Sequence, residues 1–249
     1  MYQKERLDAI MAIVMQNGYV TVKYLVAQLH YSKATINRDL NVLEAQKRLR
    51  RSYGGVEVVT DEDVPLTFRY HKRHTEKVKI CKKASEFIHD GDTIFIDAST
   101  TTEPITEYLA DKKDLCVITN NMSLVIRLSE LGIRAICTGG EVVESPCMLA
   151  GTDAIETAMR YHVDKLFFSV SFVDKEGRVA TNATYFSLHS VMLRNADEVY
   201  LLSDSEKFGD PRRGRQYLCD LSRIKAVISD AELCEETKKK FPNTLFVQV

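Results

Sequence analysis

The chain has 249 residues, of which 45% are hydrophobic and 28% charged, with a formal net charge of −1. That profile excludes disordered and fibrous classes and points to a globular protein of one large domain or two smaller ones. No apolar run approaches the roughly 18 residues a membrane helix needs. The opening MYQKERLDAIMAIV is amphipathic and carries no signal-peptide core or cleavage site, so a cytoplasmic protein without a membrane partner is expected. The six cysteines (Cys81, Cys116, Cys137, Cys147, Cys219, Cys234) contain no CxxC pair. Cys116 and Cys137 lie in apolar runs that read as buried strands. Reduced packing cysteines are therefore expected, rather than a disulfide framework or a metal site, and nothing calls for a cofactor.

Charge is unevenly placed. Residues 1–58 hold nine of the 34 Lys and Arg but five of the 35 Asp and Glu, leaving 25 basic against 30 acidic residues beyond them. A basic segment on an acidic body suggests that a polyanion meets the first segment alone.

Leu7, Ile10, Met11 and Val14 are spaced as one face of a helix over residues 4–16, closed by Gly18. Thr21 caps a second helix, TVKYLVAQL, with Val22, Leu25, Val26 and Leu29 on one face. Ser32 caps a third, SKATINRDLNVLEAQ, with Ile36, Leu40 and Leu43 inside. LRRSYGGVEVV then reads as a hairpin around Gly54-Gly55. Three short helices and a hairpin make a winged helix-turn-helix over residues 1–58. The polar stretch 59–74 reads as a connection. From Thr75 to Val249, apolar runs (TIFID, LCVIT, IRAIC, VDKLFFSVS, EVYLLS, KAVISD, TLFVQV) alternate with helical patterns. Among these are TEKVKICKKASEFI, TEPITEYLA, MSLVIRLSEL, DAIETAMRYH, SLHSVMLRNA and ELCEETKKK. The fold class is α/β, with a mostly parallel sheet covered on both faces.

The third helix is the one suited to a major groove. Its outward Lys33, Thr35, Asn37, Arg38 and Asn41 have the short polar and cationic groups that base edges and phosphates require. Thr21, and Ser32 at the helix N-terminus, suit the phosphate backbone, as do Arg50, Arg51 and Tyr53 of the wing. Periodicity alone leaves this reading level with a helical trio whose charged face is merely solvated.

In the larger segment, hydroxyls, amides and charges gather at the carboxyl ends of strands, where α/β sheets take ligands. Asp97 ends TIFID, and Ser99-Thr100-Thr101-Thr102 open a helix with Pro104 in its first turn. Asn120-Asn121 follow VIT, Gly139-Gly140 follow IC, and Asp204 and Lys207 follow YLLS. Singly, each has a plain structural explanation: a cap, a turn or a solvated cation.

The string RLDAIMAIVMQNGYVTVKYLVAQL, then YSKATINRDLNVLEAQ, then LRRSYGG resembles the DeoR family of bacterial sugar-metabolism regulators. The resemblance continues through EKVKICKKASEFIHDGDTIFIDASTTTEPITEYL, VITNN, GGEVV, DKLFFSVSFVD, NADEVYLLSDSEKFG and KAVISD. It implies a C-terminal domain folded like ribose-5-phosphate isomerase and the CoA transferases, sensing a small phosphorylated metabolite without catalysis. It also implies a double-stranded DNA operator as partner, repression, and a homo-oligomer. Several positions depart from the family pattern. Asn37 replaces a usual Arg and Lys47 a usual Gly. Ser99, Ser169 and Phe172 stand where Gly is usual, Tyr185 lies near a usual acidic position, and His189 near a usual Lys. These changes remove room for close backbone approach and replace a permanent cation with a conditional one. A smaller pocket, a different metabolite and a vestigial site all remain open. An alternative is an isomerase-like enzyme carrying a DNA-binding appendage, drawing on Asp97, Asp204, Lys207 and His189.

Overall fold

The structure is a computed structural model. It describes residues 3–17, 19–46, 48–52, 54–58, 69–70, 72–144, 148–209, 216–233 and 235–249. The chain divides into two compact units, Met1–Pro65 and Leu66–Val249.

The first unit contains α1 (Gln3–Asn17), β1 (Tyr19–Thr21), α2 (Val22–Leu29), α3 (Lys33–Ala45), β2 (Leu49–Ser52) and β3 (Gly55–Val58). The apolar stripes fold inward as their spacing requires. Leu7, Ile10, Met11 and Val14 of α1, Leu25 of α2 and Ile36, Leu40 and Leu43 of α3 are all buried. Val22, Val26 and Leu29 pack partly exposed at the margin of that core. The hairpin turn differs by one residue from the expectation. Ser52 pairs with Gly55, so Gly55 already belongs to the strand. Gly54 supplies the positive φ, +73°, that a two-residue turn of this kind uses. The apolar pattern did not announce β1. It is a three-residue strand pairing antiparallel with β3, which gives a three-stranded sheet in the order β1-β3-β2. His30 ends α2 in the left-handed region (φ 56°), its N–H bonded to the Val26 carbonyl, and so turns the chain sharply into α3.

The second unit is built on seven parallel strands. In chain order they are β4 (Thr93–Ile96), β5 (Cys116–Thr119), β6 (Arg134–Cys137), β9 (Val163–Phe168), β12 (Ala196–Leu202), β15 (Ala226–Ser229) and β16 (Leu245–Gln248). They lie in the order β16-β15-β12-β9-β4-β5-β6. Alternate residues of the inner strands face opposite layers. Ile94, Ile96, Val117, Phe167, Tyr200 and Ile228 pack with α4 (His74–Ser85) and α5 (Met122–Glu130). Phe95, Ile118, Leu166, Phe168, Leu201 and Val227 pack with α6 (Thr152–Met159) and α7 (Ala183–Arg194). Burial on both faces explains why these strands are continuously apolar. A last helix, α8 (Glu235–Lys240), leads into β16.

Three features depart from the sequence reading. TEPITEYLA forms a short 3₁₀ helix, Glu103–Tyr108, and not an α-helix. Its six residues lack the aligned dipole of a longer helix, which weakens the expected anion site at its N-terminus. Cys137 is exposed and Cys116 half-buried, because β6 is an edge strand and its neighbour takes only part of the covering layer. Among the described cysteines, Cys81, Cys116, Cys137 and Cys219 are all free thiols; Cys147 and Cys234 lie outside the described residues. Two sets of short strands also escaped the periodicity reading. β7 (Glu141–Glu144) and β8 (Met148–Ala150) pair antiparallel. A four-stranded sheet, β13-β10-β11-β14, is built from β10 (Phe172–Asp174), β11 (Arg178–Thr181), β13 (Phe208–Gly209) and β14 (Gln216–Asp220).

Candidate DNA-reading surface and ligand crevice

In the first unit α3 is held by polar contacts that the apolar pattern does not reveal. Arg6 Nε and Nη2 reach the Asp39 carboxylate at 2.6 and 3.0 Å, and Asp39 is fully buried. The Arg6 guanidinium also lies 5.2 Å from the centroid of the Tyr31 ring. This fork ties α1 to both α3 and the turn before it. Ser32 Oγ accepts from the Thr35 N–H at 3.1 Å and pairs with its hydroxyl at 2.9 Å. Thr21 Oγ1 accepts from the Tyr24 N–H at 3.1 Å. Both therefore serve as helix caps. Lys33, Arg38, Asn41 and Arg50 are exposed, and Asn37 and Thr35 are half-buried. Arg51 folds back onto α3, bonding Asn37 Oδ1 at 2.9 Å and Asn41 Oδ1 at 2.5 Å. The sequence reading had placed it along the phosphate backbone. Tyr53 and Lys47 lie outside the described residues. Lys23, not singled out beforehand, joins Lys33, Arg51 and the Gly54-Gly55 backbone around a cleft of about 570 Å³.

In the second unit the strand order locates the crevice. The chain runs outward from β4 through β5 and β6, then returns to the other side of β4 as β9. The gap beyond the carboxyl ends of β4 and β9 is the topological switch point, where open α/β sheets take ligands. Asp97 follows β4 and Ser169 follows β9, and they meet there. The Asp97 carboxylate accepts from the Ser169 N–H (3.0 Å), the Thr102 hydroxyl (2.8 Å) and the Ser99 N–H (3.3 Å). His189 Nε2 lies 3.2 Å from Asp97 Oδ2. Burial would raise the Asp97 carboxyl, but His189 and the bonds from Ser169 and Thr102 outweigh it and hold it below the usual carboxylate range. His189, expected as a partner for an anion, is paired with Asp97 and buried near the rings of Phe168 and Tyr185.

Two lysines converge on adjacent threonines. Lys207 Nζ lies 3.0 Å from Thr101 Oγ1 and 2.8 Å from Ser169 Oγ, with Asp204 farther off at 3.9 Å. Lys77 Nζ lies 2.9 Å from Thr100 Oγ1 and donates to the Arg69 carbonyl. Burial, and then repulsion from Lys207, push Lys77 down to about 8. Sequence reasoning missed Lys77. The signal was present, because it shares the inward stripe of α4 with Ile80, Cys81 and Ala84. Asp204 itself caps a short 3₁₀ turn (Ser205–Lys207) through the Glu206 N–H.

The remaining residues have other work. Asn121 Oδ1 caps α5 at the Ser123 and Leu124 N–H groups, and Asn120 Nδ2 donates to the Leu149 carbonyl at 2.9 Å. Asn120 Oδ1, His189 Nδ1 and Ser203 Oγ are buried without a hydrogen-bond partner among the described residues. Gly139 and Gly140 both take positive φ. A Cβ on Gly140 would sit 2.3 Å from the Ala150 carbonyl oxygen, so close backbone approach explains that glycine. Phe172 is buried in β10, paired with Ala180. No group of three or more His, Cys, Asp or Glu side chains arranged to hold a metal occurs among the described residues. No described helix is long and apolar enough to cross a membrane.

A winged helix presenting a polar recognition helix, followed by an α/β unit with a polar crevice at its switch point, defines a DNA-binding transcription regulator with a sensor domain. Residues 6–62 match the DeoR-like helix-turn-helix domain and residues 72–231 the DeoR C-terminal sensor domain, and the chain belongs to the DeoR family. It is 33% identical over 233 residues to the HTH-type transcriptional repressor GlcR of Bacillus subtilis, covering 92% of this chain and 89% of that one. It is 30% identical over 238 residues to the glycerol-3-phosphate regulon repressor of Escherichia coli, covering 93% and 92%. Among solved structures, ribose 5-phosphate isomerase from Plasmodium falciparum overlaps 53% of this chain and 52% of its own, at 12% identity and a TM-score of 0.40.

Proposed function

We propose that this regulator represses genes of sugar or carbohydrate metabolism. In this reading it binds a double-stranded operator as a homo-oligomer, and the switch-point crevice binds a small phosphorylated metabolite without turning it over. The observation that carries the effector is the convergence of Lys77 and Lys207 on the Thr100-Thr101 hydroxyls, beside Ser169. Two cations set among hydroxyls suit a phosphate, whose charge would offset the burial and the repulsion from Lys207 that depress Lys77. The glycerol-3-phosphate relative is named for a phosphorylated polyol, in keeping with this reading. Asp97, Ser99, Thr102, Asn120, Asn121 and Asp204 complete the strand-end set in this reading, several of them committed to bonds within the fold. Effector and operator are coupled by linkage: an effector that favours the state with lower DNA affinity releases the operator, and DNA weakens the effector to the same degree.

The test is fluorescence anisotropy of a duplex selected from a random pool, titrated with the full-length protein and a panel of triose, pentose and hexose phosphates. At least one phosphate should shift DNA affinity about fivefold or more, the lower end of ordinary coupling. If none does, and the protein isomerises a sugar phosphate, the enzyme reading replaces this one.

A further inference from the structure

Arg51 ends its side chain on the recognition helix. Nη1 donates to Asn37 Oδ1 at 2.9 Å, and Nη2 to the Asn37 carbonyl at 3.3 Å and to Asn41 Oδ1 at 2.5 Å. Nε faces Glu44 Oε2 at 3.5 Å, and the Arg51 backbone N–H points to the other oxygen of the same carboxylate at 3.4 Å. A guanidinium has only donors, so the carboxamide oxygens of both asparagines must turn toward it. Asn37 is then occupied at both ends, because its Nδ2 donates to the Lys33 carbonyl at 2.9 Å. Asn41 is exposed, with its oxygen held and its amide N–H groups left for an external acceptor.

We propose that Arg51 is a positioning residue for base readout. It ties Asn37 to the helix and the wing, and orients Asn41 so that its amide N–H groups are its freer end. An asparagine with both ends available reads adenine bidentately, through N7 and the N6 amino group. With one lone pair of its oxygen taken by a charged donor and its direction fixed, Asn41 is a poorer acceptor for N6. It therefore favours acceptor edges, such as guanine O6 and N7 or thymine O4. The wing thus sets the preference of the helix without touching a base.

The obvious rival is that Arg51 swings away and binds a phosphate. Selection from random duplexes, with affinity measured against salt, separates the two using full-length wild type, Arg51→Ala, Arg51→Lys and Asn41→Ala. The proposal predicts that wild type enriches guanine or thymine at the position Asn41 governs, and that Asn41→Ala loses this enrichment. Arg51→Ala should move the preference toward adenine there by about tenfold, with the salt slope unchanged. Arg51→Lys should behave like Arg51→Ala, since an ammonium keeps the charge but not the planar fork that spans both carboxamides. A thermal melt of each variant reports whether the wing remains folded. Where Arg51→Ala loosens it, Arg51→Lys and Asn41→Ala carry the test, because the charge and the wing strand are kept. A uniform loss of affinity for all sequences, a salt slope shallower by about 0.9 and rescue of both by Arg51→Lys would establish the phosphate contact and overturn the proposal. An identical consensus for all four proteins would overturn it equally.

Discussion

The two units make their sites by opposite means. In the first, the groups that shape the DNA-facing surface lie close in sequence: Ser32 with Thr35, Thr21 with Tyr24, and Arg51 with Asn37 and Asn41. In the second, the contacts that bring the crevice together join distant segments. Asp97 meets Ser169 across 72 positions and His189 across 92, and Lys207 meets Thr101 across 106. A locally built surface is fixed by helix periodicity and caps. A crevice at a switch point is fixed by strand order, which only the assembled sheet reveals.

The comparison is broken most forcefully at Asp97. Asp97→Ala removes the acceptor shared by Ser169, Thr102, Ser99 and His189 and strands buried donors from three segments. We expect a loss of about 4 kcal/mol in the stability of the C-terminal unit, as when one member of a buried pair is deleted. Denaturant unfolding checks this, and a loss below about 1 kcal/mol would mean that the hub holds little together. In the N-terminal unit the comparable damage is apolar. Leu40→Ala, at a fully buried position of α3, should cost about 3 kcal/mol and abolish operator binding at 37 °C.

How much was legible follows the same division. The stripes Leu7-Ile10-Met11-Val14 and Ile36-Leu40-Leu43 and the caps Thr21 and Ser32 could be read directly, because each depends on neighbours three or four residues away. So could the seven apolar runs of the parallel sheet. The roles of the crevice residues could not. His189 was assigned to the anion and is instead bonded to Asp97, a pairing set by how α7 packs on the sheet. Lys77 was passed over although it shares the inward stripe of its helix, because a lysine in a charged helix is ordinarily solvated. The short strands β10, β11, β13 and β14 were missed because segments of two to five residues are too brief for alternation to register.

Lys77 sharpens the comparison through pH. Its native value of about 8 lies below the ordinary lysine value of 10.5, so its charged form is disfavoured by folding. Between pH 8 and 10.5 the unfolded chain holds a proton that the native one has lost. Lys77 should therefore contribute a rise in stability with pH through that window, read as wild type minus Lys77→Met, of at most about 3 kcal/mol. Lys77→Met should remove the rise. Phosphate binding should run the other way and weaken above pH 8, as the amine loses its charge. An identical pH dependence in wild type and Lys77→Met would refute the assignment.

The smallest expected effect belongs to Arg38, exposed on α3. Arg38→Ala should make the dependence of log affinity on log salt shallower by about 0.9, the share of one phosphate contact, and leave the selected consensus unchanged. An altered consensus with an unchanged slope would instead make Arg38 a base reader.

The claim that the switch-point crevice senses a phosphorylated metabolite through its lysines is tested most directly by calorimetric titration of wild type and Lys207→Ala with matched pairs of sugars and sugar phosphates. The account predicts one site per chain for at least one phosphate, no measurable binding of the unphosphorylated sugar, and an affinity lower by one to two decades in Lys207→Ala, the range for losing a charge-assisted hydrogen bond. Equal affinity in the two proteins, or equal binding of sugar and sugar phosphate, would contradict it.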